Sequence, residues 1–134
     1  MNELRVEIVT PEKTAFEGNV KSITIPGTKG NFQVLFNHAP LMSSFEIGFI
    51  KIVDSSEQAN IFATSGGTVE VVNNKVIVLA ETFESKDSID VKRAEDARDR
   101  AKKRIKKESG ETDIDFTRAE FALKRALNRL KLVK

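Results

Sequence analysis

An antiparallel β-sandwich followed by a C-terminal two-helix hairpin is the fold that this 134-residue sequence predicts. Three observations carry the prediction. Up to residue 84, short β-branched and aromatic runs alternate apolar with polar residues, and Pro, Gly and Asn cut them at regular intervals. From residue 85 the composition turns to Ala, Lys, Arg and Glu at helical spacing. Within that last part Ile89-Asp90-Val91-Lys92-Arg93-Ala94-Glu95 returns 25 positions later as Ile114-Asp115-Phe116-Thr117-Arg118-Ala119-Glu120. The length suits one ordinary domain or a small domain with an appendage, and the boundary falls at residues 84–87. This gives a β domain at residues 1–84 and a helical domain at residues 85–134.

The strands read off in order. Residues 4–9 alternate and stop at Thr10-Pro11; residues 19–25 alternate again and stop at Pro26-Gly27. Gly27-Thr28-Lys29-Gly30 reads as a hairpin turn into residues 31–36. Further runs follow at residues 48–53, 59–64, 67–72 and 75–80, and Asn73-Asn74 between the last two suits a two-residue turn at positive φ. Seven of the nine phenylalanines fall in this part, enough apolar bulk for one core.

Each copy of the repeated phrase opens a helix, at about residues 90–107 and 115–132. Asp is a good N-cap acceptor, and the Ile before it can staple onto the Ala that follows. The connector Glu108-Ser109-Gly110-Glu111-Thr112 holds no apolar residue, so two helices of similar length must pack antiparallel if they pack at all. Their facing stripes are Val91, Ala94, Ala97, Ala101 and Ile105 on one side, and Phe116, Ala119, Ala122, Leu123, Ala126, Leu127 and Leu130 on the other. An alanine seam buries little per residue, while alanine keeps each helix intrinsically good, so the pair suits either opening or permanent docking. In an antiparallel pair centred near Gly110, Asp90 and Arg93 approach Arg125 and Arg129, whereas Arg118 points to the connector end. Converging guanidinium groups need an anion, and phosphate oxygens match arginine forks. The plainer alternative is that Asp90 caps the helix and Arg93 pairs with it.

Composition narrows the chemistry. The chain has no cysteine and a single histidine, His38, which excludes disulfides, thiolate chemistry and zinc fingers. No apolar run reaches the length of a membrane span, and the N-terminus lacks a signal pattern, so a soluble protein is expected. Neither Gly27-Thr28-Lys29-Gly30 nor Ser65-Gly66-Gly67 spells a phosphate loop, and nothing around Ser65 marks a nucleophile. Residues 1–84 carry six Lys/Arg against ten Asp/Glu, a net −4, and residues 85–134 carry sixteen against ten, a net +6. Acids interleaved with the bases favour an ion-paired, solvated face over a nucleic-acid stripe.

Four stretches in this order resemble the epsilon subunit family of bacterial F-type ATP synthases. They are Val9-Thr10-Pro11-Glu12, the run from Pro26-Gly27 to His38-Ala39-Pro40-Leu41, Ser65-Gly66-Gly67-Thr68-Val69-Glu70-Val71, and residues 114–130. Gln33 and Phe36 depart from it, standing where many members have Gly and Pro. The resemblance implies a sandwich of about ten strands that sits on the gamma subunit and touches the ring of c subunits. Gly30, Asn31 and His38 are then the partner contacts. It further implies a non-catalytic rotor subunit that couples proton flow to rotation, peripheral at the cytoplasmic face of the bacterial inner membrane and reaching the membrane only through the complex. The helical tail is implied to inhibit ATP hydrolysis by extending to the alpha/beta catalytic hexamer, with ATP as regulatory ligand and no catalytic cofactor. The family's ATP motif is matched by Ile89, Asp90, Arg93 and Ala94, its basic partners by Arg125 and Arg129, and its entry acid by Glu84. The alternatives are a sandwich binding module whose basic hairpin takes nucleic acid or an acidic protein, and a small sandwich enzyme.

Overall fold

Alternation of buried and exposed residues sets each strand's inner face, and the ladder then arranges nine strands around one core. The structure, a computed structural model, describes residues 2–108 and 113–134. The strands are β1 (Leu4–Val9), β2 (Thr14–Gly27), β3 (Gly30–Leu35), β4 (Leu41–Phe45), β5 (Gly48–Asp54), β6 (Ala59–Thr64), β7 (Gly67–Val72), β8 (Lys75–Ala80) and β9 (Phe83–Ser85). A 3-10 turn at Lys86–Ser88 precedes helices α1 (Val91–Glu108) and α2 (Asp113–Val133). The chain divides into two compact units, Met1–Ser85 and Lys86–Lys134.

In the first unit β2 belongs to both layers. Its first half pairs with β1, which continues through β8, β7 and β4; its second half pairs with β3 on one edge and β5 on the other, and β5 continues through β6 to β9. The register slips between Val20 and Ser22, an irregularity at the point where the strand passes from one layer to the other. Gly27 at its far end meets Phe45 of β4, which closes the circuit. Leu4, Val6 and Ile8, Ile23 and Ile25, Ile50 and Ile52, Val76 and Val78 point inward and are almost wholly buried, with Phe45 beside them. Each such side chain contributes roughly 1.5–3 kcal/mol by leaving water.

Three differences from the sequence reading have local causes. Among the described residues there are nine strands where about ten were expected, because the long β2 serves two layers as one element, and the β1–β8 pair is parallel in an otherwise antiparallel set. β4 and β9 and the first residues of β2 are strands that alternation did not reveal: Ser43 and Ser44 mask β4, Gly18 interrupts β2, and β9 is only three residues long. The Asn73-Asn74 turn forms with φ of 50° and 63°, as its asparagines suggest.

In the second unit α1 and α2 pack as an antiparallel pair on an alanine seam. Ala94, Ala101, Ala119 and Ala126 are buried, with Leu130. Val91 and Leu127, placed on the facing stripes by spacing, are exposed instead, at 39% and 44%. α2 begins at Asp113, so Asp115 of the second phrase lies inside the first turn and is no N-cap. The connector residues 109–112 lie outside the described residues.

Candidate functional site

α1 starts on an acceptor supplied by the sequence. Asp90 Oδ1 accepts the Arg93 backbone N–H at 3.1 Å, and Asp90 O accepts the Ala94 N–H at 3.0 Å, which makes Asp90 the N-cap. Ile89 before the cap and Ala94 in the first turn are both buried, in the positions of a hydrophobic staple. The cap uses one carboxylate oxygen, and a carboxylate has two. Asp90 and the Arg93 side chain are exposed. Replacing Asp90 by alanine should therefore cost about 1 kcal/mol in α1, seen as faster amide exchange at Arg93. Asp90→Asn should leave that exchange unchanged, since asparagine caps equally well.

The other end of the hairpin comes back to this turn. Lys134 Nζ and Glu95 Oε2 lie 3.7 Å apart, bringing the end of α2 beside the first turns of α1. Arg129 and Arg125 are both half-buried on α2. Arg125 lines a surface concavity of about 460 Å3 with Arg118, Phe121 and Ala122 of its own helix and Arg104 of α1. Arg118 and Arg125 stand two turns apart on one face, so Arg118 shares its surroundings with Arg125. Phe121 is exposed, and Lys124 Nζ lies 5.4 Å from its ring centre, a cation–π contact on the surface of α2. Glu84 is half-buried in β9, in register with Ala63 of β6.

Gly30 and Asn31 do not share a surface patch with His38. The first two leave the turn at one end of β3, with φ of 119° at Gly30, and His38 follows the other end of that strand. Its ring Nδ1–H donates to Ala39 O at 2.6 Å, and its backbone N–H donates to Leu35 O at 3.1 Å. Ser65 Oγ is engaged with Thr82 Oγ1 at 2.6 Å.

The sequence reading overlooked a third surface. On the outer side of β4, β7 and β8, a concavity of about 510 Å3 is lined by Met42, Ser44, Thr68, Glu70, Ile77 and Leu79, among others. Met42 is 76% and Leu79 53% exposed. An apolar strip on a rigid sheet, rimmed by polar side chains, is the form of a protein contact. The signal that could have found it is Met42 within the masked strand β4.

A sandwich carrying a basic, alanine-seamed helical hairpin defines a two-domain class, and sequence comparison places it. Residues 3–86 match the β-sandwich domain, and residues 87–134 the long α-helix domain, of the ATP synthase Delta/Epsilon chain. This chain belongs to that family. Its relatives include the ATP synthase epsilon chain of Desulforamulus reducens, 40% identical over 127 residues that cover 95% of this chain and 94% of that one. The ATP synthase epsilon chain of Salinibacter ruber is 46% identical over 112 residues, covering 78% and 75%. Among solved structures, a chain in the Euglena gracilis mitochondrial ATP synthase (OSCP, F1 and c-ring) superposes with a TM-score of 0.81 at 16% identity, covering 96% of this chain and 79% of that chain. A chain in the central stalk and c-ring of the Tetrahymena thermophila mitochondrial ATP synthase gives 0.58 at 18% identity, covering 97% and 92%. At these identities the structural likeness is one of fold. Among the described residues no helix is long and apolar enough to cross a membrane.

Proposed function

We propose that this chain is a non-catalytic rotor subunit of a bacterial F-type ATP synthase. Its sandwich docks on the gamma subunit and the c ring, and its helical tail restrains ATP hydrolysis in an ATP-sensitive way. The observation that carries this reading is the division of labour between the units. The sandwich has a complete aliphatic core and still exposes an apolar strip, while the hairpin is held by alanines. A core that needs nothing from the tail suits a permanent anchor; a thin seam between good helices suits an element that opens. The subunit sits at the cytoplasmic face of the membrane through the complex.

ATP is the regulatory ligand in this reading, held by Asp90, Arg93, Arg125 and Arg129, with Ile89 and Ala94 beside the cap. A ligand that binds only the closed hairpin draws population from the extended, inhibitory form. Calorimetric or NMR titration of the isolated subunit with ATP tests this. Arg93→Ala and Arg129→Ala should each weaken binding by about 1–3 kcal/mol, the scale of a lost charge-assisted bond. A larger loss at Arg118 than at Arg93 would move the phosphate seat to the concavity of Arg104, Arg118 and Arg125. No binding at millimolar ATP would leave Asp90 a helix cap alone.

The nucleic-acid reading has one feature on its side, the exposed Phe121 with Lys124 over its ring. A single stacking platform falls short of a strand-binding groove. Retention on DNA or RNA with a steep salt dependence would favour it.

A further inference from the structure

The two-residue turn between β7 and β8 is made by Asn73 and Asn74, both at positive φ. Such a turn takes glycine most readily in its second position, so the turn itself does not require a side chain at residue 74. That side chain is engaged elsewhere. Asn74 Oδ1 accepts the Asn37 backbone N–H at 2.6 Å, and Asn74 Nδ2 donates to Asn37 Oδ1 at 3.3 Å. Asn74 O also accepts the Arg5 N–H at 2.9 Å, which ties β1 to the same point. Asn37 holds φ of 65° in the connection between β3 and β4, a left-handed conformation that asparagine adopts more readily than most residues. That connection carries His38 and the exposed Ala39 and Pro40, and it runs between two exposed apolar side chains, Leu35 and Met42.

We propose that Asn74 is a positioning residue for partner docking: its carboxamide clasps Asn37 and holds residues 36–40 in the shape that meets the gamma subunit. The inference rests on the reading of the sandwich as the gamma-binding unit. A loop fixed before encounter does not lose its freedom on binding, and affinity rises by what that ordering would have cost. Asn74 acts through Asn37, and the contact itself is made by the loop and its apolar flanks.

Affinity of the full-length chain for purified gamma subunit, measured by calorimetry beside thermal melting, tests the clasp. Asn74→Gly keeps the turn and removes both side-chain bonds; it should bind about 10-fold more weakly with an unchanged melting temperature. Asn74→Asp keeps the acceptor for the Asn37 N–H and should recover most of the loss. The double variant Asn37→Gly, Asn74→Gly should bind no worse than Asn74→Gly alone, because the two residues form one unit. Wild-type affinity in Asn74→Gly overturns the inference, and so does a loss that tracks a falling melting temperature, which would make the clasp a stability feature. If the unaltered chain fails to bind gamma, the functional reading falls first and takes this one with it.

Discussion

Gly67→Ala should abolish the stable sandwich. Gly67 opens β7 in register with Phe45 of β4 on one edge and Ala80 of β8 on the other, so it lies within a ladder three strands wide. A Cβ added there would fall 1.9 Å from Leu79 O and 3.0 Å from Ala80 Cα. Both are backbone atoms of β8 and cannot swing aside as a flexible side chain would. Relief requires β7 and β8 to part, at a cost of at least ~3 kcal/mol set against the ~5–15 kcal/mol that holds an ordinary domain folded. The expected result is insoluble protein, or a denaturation midpoint far below that of the unaltered chain. Gly18→Ala is the control: its Cβ would meet nothing nearer than the Phe16 ring at 3.7 Å, and the midpoint should scarcely move. A wild-type midpoint for Gly67→Ala would show that β8 yields at Leu79.

Removing residues 86–134 should raise ATP hydrolysis severalfold in a reconstituted complex while gamma stays bound. The deletion takes away a segment with net charge +6, leaves the aliphatic core of Met1–Ser85 whole, and retains the apolar strip around Met42 and Leu79. An extended basic tail finds its partner by charge, so reversal at the exposed Arg118 and Lys124 should also relieve inhibition and flatten its dependence on salt. Equal hydrolysis rates with and without the tail would remove the regulatory reading, and loss of gamma on truncation would overturn the division of labour.

The strands that the sequence displays openly are those with one clean inner face. Leu4–Val9, Gly67–Val72 and Lys75–Ala80 alternate, and their turns announce themselves with Pro or paired Asn. β4 stayed hidden because serines at 43 and 44 break the apolar rhythm, and its place between β7 and β2 comes from partners distant in sequence. With β4 went the strip around Met42, a surface made by three strands that no local pattern joins. On the tail, the cap at Asp90 and the staple of Ile89 with Ala94 are local and were legible. The repeated phrase misled at its second copy, because the helix starts at Asp113, ahead of the Asp that the repeat singles out. Spacing likewise put Val91 and Leu127 inside, whereas the seam is narrower than the apolar stripe and closes over alanines and Leu130. The grouping of Arg104 of α1 with Arg118 and Arg125 of α2 depends on how two helices meet, which periodicity in either one does not specify.

That β2 is shared between layers has a mechanical consequence. Thr14–Gly27 is one backbone, on the order of 40 Å when extended, with neighbours on β1 in one layer and on β3 and β5 in the other. A pull applied at the Gly27–Gly30 turn travels through covalent bonds to the Arg5–Glu17 end before any side-chain packing between the layers is asked to carry it. Shear of one layer over the other has to bend this strand or tear it from three ladders at once. Under load, a tether of this kind makes the sandwich respond as a single stiff piece.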